Sequence, residues 1–165
     1  MEAIKLRPFK VADVPAITQI YRHYVENTVV SFDLEAPDEA MIAEKYRGMR
    51  AAGHPVIIAE VENSVVGFAY ATTYRPRPAY RFTCENSVYL SPEMIGRGLG
   101  SVLLKELIKQ AQAFGFNQMV AIITAGTKGS MALHSKFDFK TLGIFPELGW
   151  KFDKWHDIVH MQLKL

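Results

Sequence analysis

"ENSVYL" (residues 85–90), "GRGLGS" (96–101) and "VLLKELIKQAQAF" (102–114) follow one another closely, and their order decides the fold. The first alternates and predicts a strand. The last spaces its leucines three and four apart and predicts a helix. Between them lie Gly96, Gly98 and Gly100. Glycines at a helix start bare the backbone N–H groups to an anion, and the helix dipole reinforces the attraction, with Arg97 adding charge at the rim. A tight strand-to-helix turn asks for the same glycines, so the loop alone leaves both readings open. Other glycine loops are excluded by their neighbours. A P-loop needs Lys then Ser or Thr after its last glycine, and Gly100 is followed by Ser101 and Val102. In a dinucleotide fingerprint the third glycine falls on Ser101, and no acidic residue closes the next strand. A kinase glycine loop joins two strands, whereas a helix follows here.

Working outward, "AIKLRPF" (3–9) predicts an edge-like first strand. Asp13 is placed to cap a helix, with Pro15 in its first turn and Val14, Ile17, Tyr21, Tyr24 and Val25 along one face. "NTVVSFDLEAP" reads as a loop, and a second helix is expected from Asp38 to about Ala52, closed by Gly53. "PVIIAEVENSVVGFAYATTY" predicts a hairpin turning near Asn63 and Ser64; "RPRPAY" is a loop. "RFTCENSVYL" is a strand ended by Pro92, and Gly115 closes the long helix. "NQMVAIIT" is an apolar, central strand, Ser130–Phe137 a short helix, and "FKTLGIF" and "HDIVHMQLKL" two closing strands. The result is an α/β (α+β) mixed sheet with helices on both sides, in one domain over residues 1–165.

Composition narrows the partners. Nineteen basic against seventeen acidic residues leave +2, too balanced for a protein built around nucleic acid. The single cysteine, Cys84, excludes an internal disulfide and argues against a zinc cluster. Neither a signal pattern nor a membrane-length apolar run occurs, so a cytoplasmic location is expected, without a membrane partner. His23, His54, His156 and His160 have no metal-ligand spacing. No G-x-S-x-G occurs, and Cys84 reads as a buried hydrophobe. The apolar "GIFPELGWKF" suggests an interface.

The glycine stretch resembles the acetyl-CoA loop of the GNAT acetyltransferases, a pattern of Gln or Arg, two residues, Gly, one residue, then Gly or Ala. Gly98 and Gly100 match it, and Ile95 stands where Gln or Arg is usual. Over nearly the whole chain the sequence is similar to the phosphinothricin and methionine sulfoximine acetyltransferase branch. "IYRHYVENTVVSF", "YRPRPAYRFTCENSVYLSP", "SMALHSKFDF" and "GWKFDKWHDIVHMQL" carry that likeness. It implies the GNAT acyl-CoA N-acyltransferase fold, a mostly antiparallel mixed sheet flanked by about four helices. It also implies acetyl-CoA as co-substrate, no metal, and a homodimer that detoxifies small amino-acid analogues by direct transfer in a ternary complex.

The site residues follow from strand alternation and from the resemblance. Alternation sends Thr83, Glu85, Ser87 and Tyr89 to one face of their strand and Cys84, Asn86 and Val88 to the other. A mid-strand glutamate facing water is the ordinary reading of Glu85; the resemblance makes it the catalytic or substrate-contacting carboxylate, a base for the acceptor amine. His134 is either packed against the sheet or able to hold and pass a proton to the leaving thiolate, the role the resemblance implies. Arg75 and Arg77, flanking Pro76, form a solvated loop or grip a carboxylate or phosphinate through paired bonds. The resemblance places Arg75, Pro76, Arg77, Glu85, Asn86 and Ser87 at the substrate, with Phe32 as an apolar wall. For acetyl-CoA it implies backbone of Val88, Tyr89 and Leu90 along the pantetheine arm. Gly96, Arg97, Gly98, Leu99, Gly100 and Ser101 would cradle the pyrophosphate. Thr127, where asparagine is usual, and Ser130 would sit beside the arm.

Two alternatives stand. One keeps the chemistry and changes the acceptor to a polyamine, aminoglycoside or protein N-terminus, although two arginines disfavour a cationic acceptor. The other is a non-catalytic acyl-CoA-binding sensor.

Overall fold

The computed structural model describes residues 4–165. In chain order it contains β1 (Lys5–Pro8), α1 (Val14–Asn27), α2 (Glu39–Ala51), β2 (Val56–Val61), β3 (Ser64–Thr73) and β4 (Thr83–Leu90). There follow α3 (Leu99–Phe114), β5 (Gln118–Thr124), α4 (Lys128–Lys136), β6 (Lys140–Lys151) and β7 (Lys154–Lys164). The strands form one sheet in the order β1-β2-β3-β4-β5-β7-β6, antiparallel except between β4 and β5. Ala3, counted in the expected first strand, lies outside the described residues.

Each face of the sheet has its own core. Leu103, Leu104, Leu107 and Ala111 recur at helical spacing along α3 and bury completely against Ile57, Ala59, Met119 and Ala121. Each leucine so buried contributes about 2 kcal/mol. On the other face, Ile17, Tyr21, Tyr24 and Val25 of α1 join Ile42 and Tyr46 of α2 over Ile58, Phe68, Tyr70 and Tyr89. This second core stops at β4. Beyond it the same face of β5, β7 and β6 has no helix above it, and Ile122 and Phe145 stay partly exposed. That half-covered face is what leaves room for a site.

Local chemistry explains most boundaries. Asp38 accepts from the Met41 N–H at 2.8 Å and caps α2, while Gly115 takes φ +104 to end α3. Glu62 and Asn63 both take positive φ and make the tight β2–β3 turn. Asp13 departs from expectation: its carboxylate does not cap α1. It accepts from the Lys10 N–H at 2.7 Å and two bonds from Arg7, whose Nε reaches Glu60 at 2.7 Å. The nearby guanidinium is a stronger partner than an amide. The last strands are also longer than expected. β6 and β7 form one hairpin around Phe152 and Asp153, both at positive φ, with a register shift between Phe145 and Gly149 that absorbs Pro146. The short helix α4 begins two residues earlier than expected, at Lys128.

Candidate active site

The site begins where two strands part. β4 and β5 pair only through Thr83–Gln118, Cys84–Met119 and Glu85–Val120. Past that point the Val120 carbonyl is taken by a side chain, Asn86 Nδ2 donating to it at 3.1 Å. A cavity of about 370 Å³ opens beyond the last pair. It gathers Phe32, Glu85, Asn86, Ser87, Val88, Tyr89, Thr127, Ser130 and His134, nine of the residues singled out above.

Glu85 projects from the face shared with Ser87 and is half-buried. Burial raises its pKa above the usual carboxylate value, opposed by the charges of Arg75 and then Lys45. His134 enters from α4 and is 6% exposed. Its Nδ1 lies 2.8 Å from the Ser130 carbonyl and its Nε2 2.9 Å from Asn86 Oδ1. Both nitrogens therefore face acceptors, and the edge of the Phe139 ring closes the remaining side. Burial lowers its pKa below the ordinary histidine value, with the Ser130 carbonyl opposing. A carboxylate raised by burial and an imidazole lowered by burial thus line one cavity, the kind of perturbation that marks candidate functional groups. Cys84 lies on the face opposite Glu85, fully buried, its thiol pushed up to about 12 by burial, and does not line the cavity.

One strand edge is left for a ligand. Tyr24 Oη donates to the Leu90 carbonyl at 2.7 Å and receives the Leu90 N–H at 3.3 Å, so these groups turn away from β3. With a period of two, the Val88 backbone points the same way, into the gap. Leu90 itself is occupied by the Tyr24 hydroxyl.

The glycine loop lies outside that cavity. Gly96 and Gly98 take φ +82 and +83 with open space where a Cβ would sit. Among the described residues, no main-chain oxygen meets the N–H groups of Gly96 to Gly100. The side chain of Leu99 is buried in the core, so only its backbone is offered. Gly100 serves packing, because a Cβ there would lie 3.3 Å from Leu133. Lys136 Nζ donates to Ser101 Oγ at 3.1 Å and brings a cation to this end of α3. These bare donors at the head of a 16-residue helix suit a pyrophosphate.

Arg75, Pro76 and Arg77 are exposed and do not line the cavity; Arg75 stacks on the Tyr74 ring, 5.0 Å from its centroid. Thr127 hydrogen-bonds the Thr124 carbonyl, which leaves its hydroxyl oxygen as an acceptor. Sequence reasoning missed Tyr21, Ser31, Asp33 and Thr124 as lining residues. Tyr21 carried only a core-face signal, yet its hydroxyl donates to Asp33 at 2.7 Å and pairs with Ser31 Oγ at 2.8 Å. No three-residue His, Cys, Asp or Glu cluster that could hold a metal occurs among the described residues.

A parted parallel strand pair, a free strand edge at Val88 and an anion-ready helix start frame the candidate site. A family model described as acetyltransferase (GNAT) family matches residues 17–139. Phosphinothricin N-acetyltransferase of Alcaligenes faecalis is 39% identical over 99% of this chain and 83% of that protein. L-methionine sulfoximine/L-methionine sulfone acetyltransferase of Pseudomonas aeruginosa is 37% identical over 97% of this chain and 94% of its own length. A phosphinothricin acetyltransferase from Sinorhizobium meliloti, solved in complex with acetyl-CoA, superposes with a TM-score of 0.96 at 40% identity, covering 98% of this chain and 88% of that one. The chain belongs to the GNAT family of acetyltransferases.

Proposed function

We propose that this acetyltransferase moves the acetyl group of acetyl-CoA to the α-amino group of small amino-acid analogues such as methionine sulfoximine, methionine sulfone and phosphinothricin. The observation that carries the reading is that Glu85 and His134 both line the cavity at the β4–β5 split.

Acetyl-CoA supplies an activated acetyl group and a thiolate leaving group. Backbone of Val88 holds its arm as an added strand, and Gly96 to Ser101, with Arg97 and Lys136, hold its phosphates. Ser130 and Thr127 sit beside the arm. Glu85 takes the proton of the acceptor ammonium or amine, helped by its raised pKa. His134 returns a proton to the departing thiolate once Nε2 exchanges Asn86 Oδ1 for the sulfur, while the Ser130 carbonyl keeps hold of Nδ1. Much of the rate comes from holding the two reactants in register. Ser87 and Phe32 wall the acceptor. Arg75 and Arg77 draw its carboxylate or phosphinate from the exposed loop, with Pro76 fixing their spacing. The working form is a homodimer. A lone, buried, reduced cysteine suits a cytoplasmic setting.

Asp33, a second carboxylate lining the same cavity as Glu85, favours a polyamine as the other reading of the acceptor. Thiol release from acetyl-CoA, with mass spectrometry of the product, separates them. N-acetyl methionine sulfoximine or phosphinothricin is expected, and N-acetyl spermidine alone would overturn the amino-acid reading. Acetyl-CoA binding without release for any acceptor would leave a sensor.

A further inference from the structure

The segment joining α1 to α2 carries Ser31, Phe32 and Asp33 into the cavity without any regular structure of its own. It reaches across the part of the sheet that no helix covers. Something must hold it there, since a bare loop would sample many positions.

The Tyr21 hydroxyl of α1 holds its Ser31 and Asp33 side chains, and three further contacts come from the C-terminal half. Thr124 Oγ1 of β5 donates to the Val29 carbonyl at 2.6 Å. Lys151 Nζ of β6 donates to the Ser31 carbonyl at 2.7 Å. The Phe32 ring lies flush on Gly149 of β6, where a Cβ would come within 1.9 Å of Cε2. His156 faces the same ring at 6.1 Å between centroids and donates through Nε2 to the Lys151 carbonyl at 2.9 Å. Lys151 is an unusual anchor. It is 2% exposed, no carboxylate lies within ion-pair distance among the described residues, the Phe152 ring lies 5.0 Å away, and the Asp33 charge acts on it from beyond ion-pair distance. A buried cation bonded to one carbonyl is a poor source of net stability, so placement is what it supplies.

We infer that Gly149 and Lys151 are positioning residues for the acceptor: they strap the Val29–Asp33 segment to the terminal hairpin and so fix the wall that Phe32 and Asp33 present to Glu85. The assignment to the acceptor rests on the acetyl-transfer reading above; the strap itself does not. Most donor-side groups come from β4, the glycine loop and α4, and among the described residues no side-chain hydrogen bond joins Gly149 or Lys151 to them; Thr127 alone is linked to the segment, through Thr124. Gly149→Ala forces the Phe32 ring to swing aside, and Lys151→Met removes the bond to Ser31 while keeping the apolar stem.

Hydrogen exchange of the 29–33 amides and steady-state kinetics with methionine sulfoximine test both variants against wild type. Faster exchange across 29–33 is expected in each. The acceptor KM should rise roughly ten- to a hundredfold while the acetyl-CoA KM stays within about twofold, the split that misplacement of one reactant produces. Unchanged exchange in both variants, or the two KM values moving together, would overturn the inference. Should Lys151→Met fail to fold, Gly149→Ala decides alone, because its clash is with a movable ring tip. If wild type turned over no amino-acid analogue, the acceptor reading would fall and exchange alone would decide the strap.

Discussion

Glu85 is the last residue of β4 to pair with β5, and the cavity opens immediately past it. Its carboxylate therefore sits where burial is incomplete but water is scarce, and burial holds its pKa above the usual value. The consequence for stability has a definite sign. A carboxylate whose folded pKa exceeds its unfolded one costs the fold stability once it is charged. That cost is absent below the unfolded pKa, grows as pH rises to the folded pKa, and is constant above it. Glu85→Gln removes the charge, so the variant is expected to melt higher than wild type at pH 7.5, with the gap closing at pH 4. Thermal melts at the two pH values check this; a variant that melts lower at pH 7.5 would mean that the carboxylate is held by a favourable partner. The same shift puts the acid limb of kcat/KM above the ordinary carboxylate range.

At the scale of elements, much was legible because period and punctuation agree. α3 spaces its leucines helically and ends on a glycine that adopts positive φ, while α2 has its aspartate cap. The candidate catalytic pair was readable only through family likeness, since a mid-strand glutamate and a helical histidine have ordinary alternatives. What sequence hid is tertiary. Asp13 prefers Arg7 over its own helix, a choice set by a strand that arrives from elsewhere. The β6–β7 hairpin turns at Phe152 and Asp153, an apolar residue in a conformation that usually selects Gly or Asn, and a proline interrupts its first strand. Asn86, assigned to substrate, spends its amide on Val120 and His134. Lys151 looks like one more charge in a tail, and its burial depends on a loop 120 residues away.

For the whole molecule, the hairpin that contacts Ser31 and Phe32 also exposes Leu142, Ile144, Leu148, Trp150, Phe152 and Trp155, each at least half exposed. Trp150 and Trp155 pack edge-on, 5.0 Å apart, and present one apolar surface. A patch of that kind is covered in most soluble proteins, and a second copy of the chain is the occupant proposed above. Sedimentation equilibrium should give twice the 18.6 kDa chain mass, and Trp150→Glu should shift the population toward monomer. A monomer for wild type at tens of micromolar would contradict the dimer. If the proposed dimer forms through this hairpin, which also contacts Phe32, dissociation is expected to weaken acceptor binding.

The most direct test is thiol release from acetyl-CoA by wild type and Glu85→Gln, side by side, with methionine sulfoximine at saturation. Release by wild type and a loss of roughly 10²- to 10⁴-fold in the variant is the predicted result, the size expected for a lost general base. Equal release by the two proteins would contradict it.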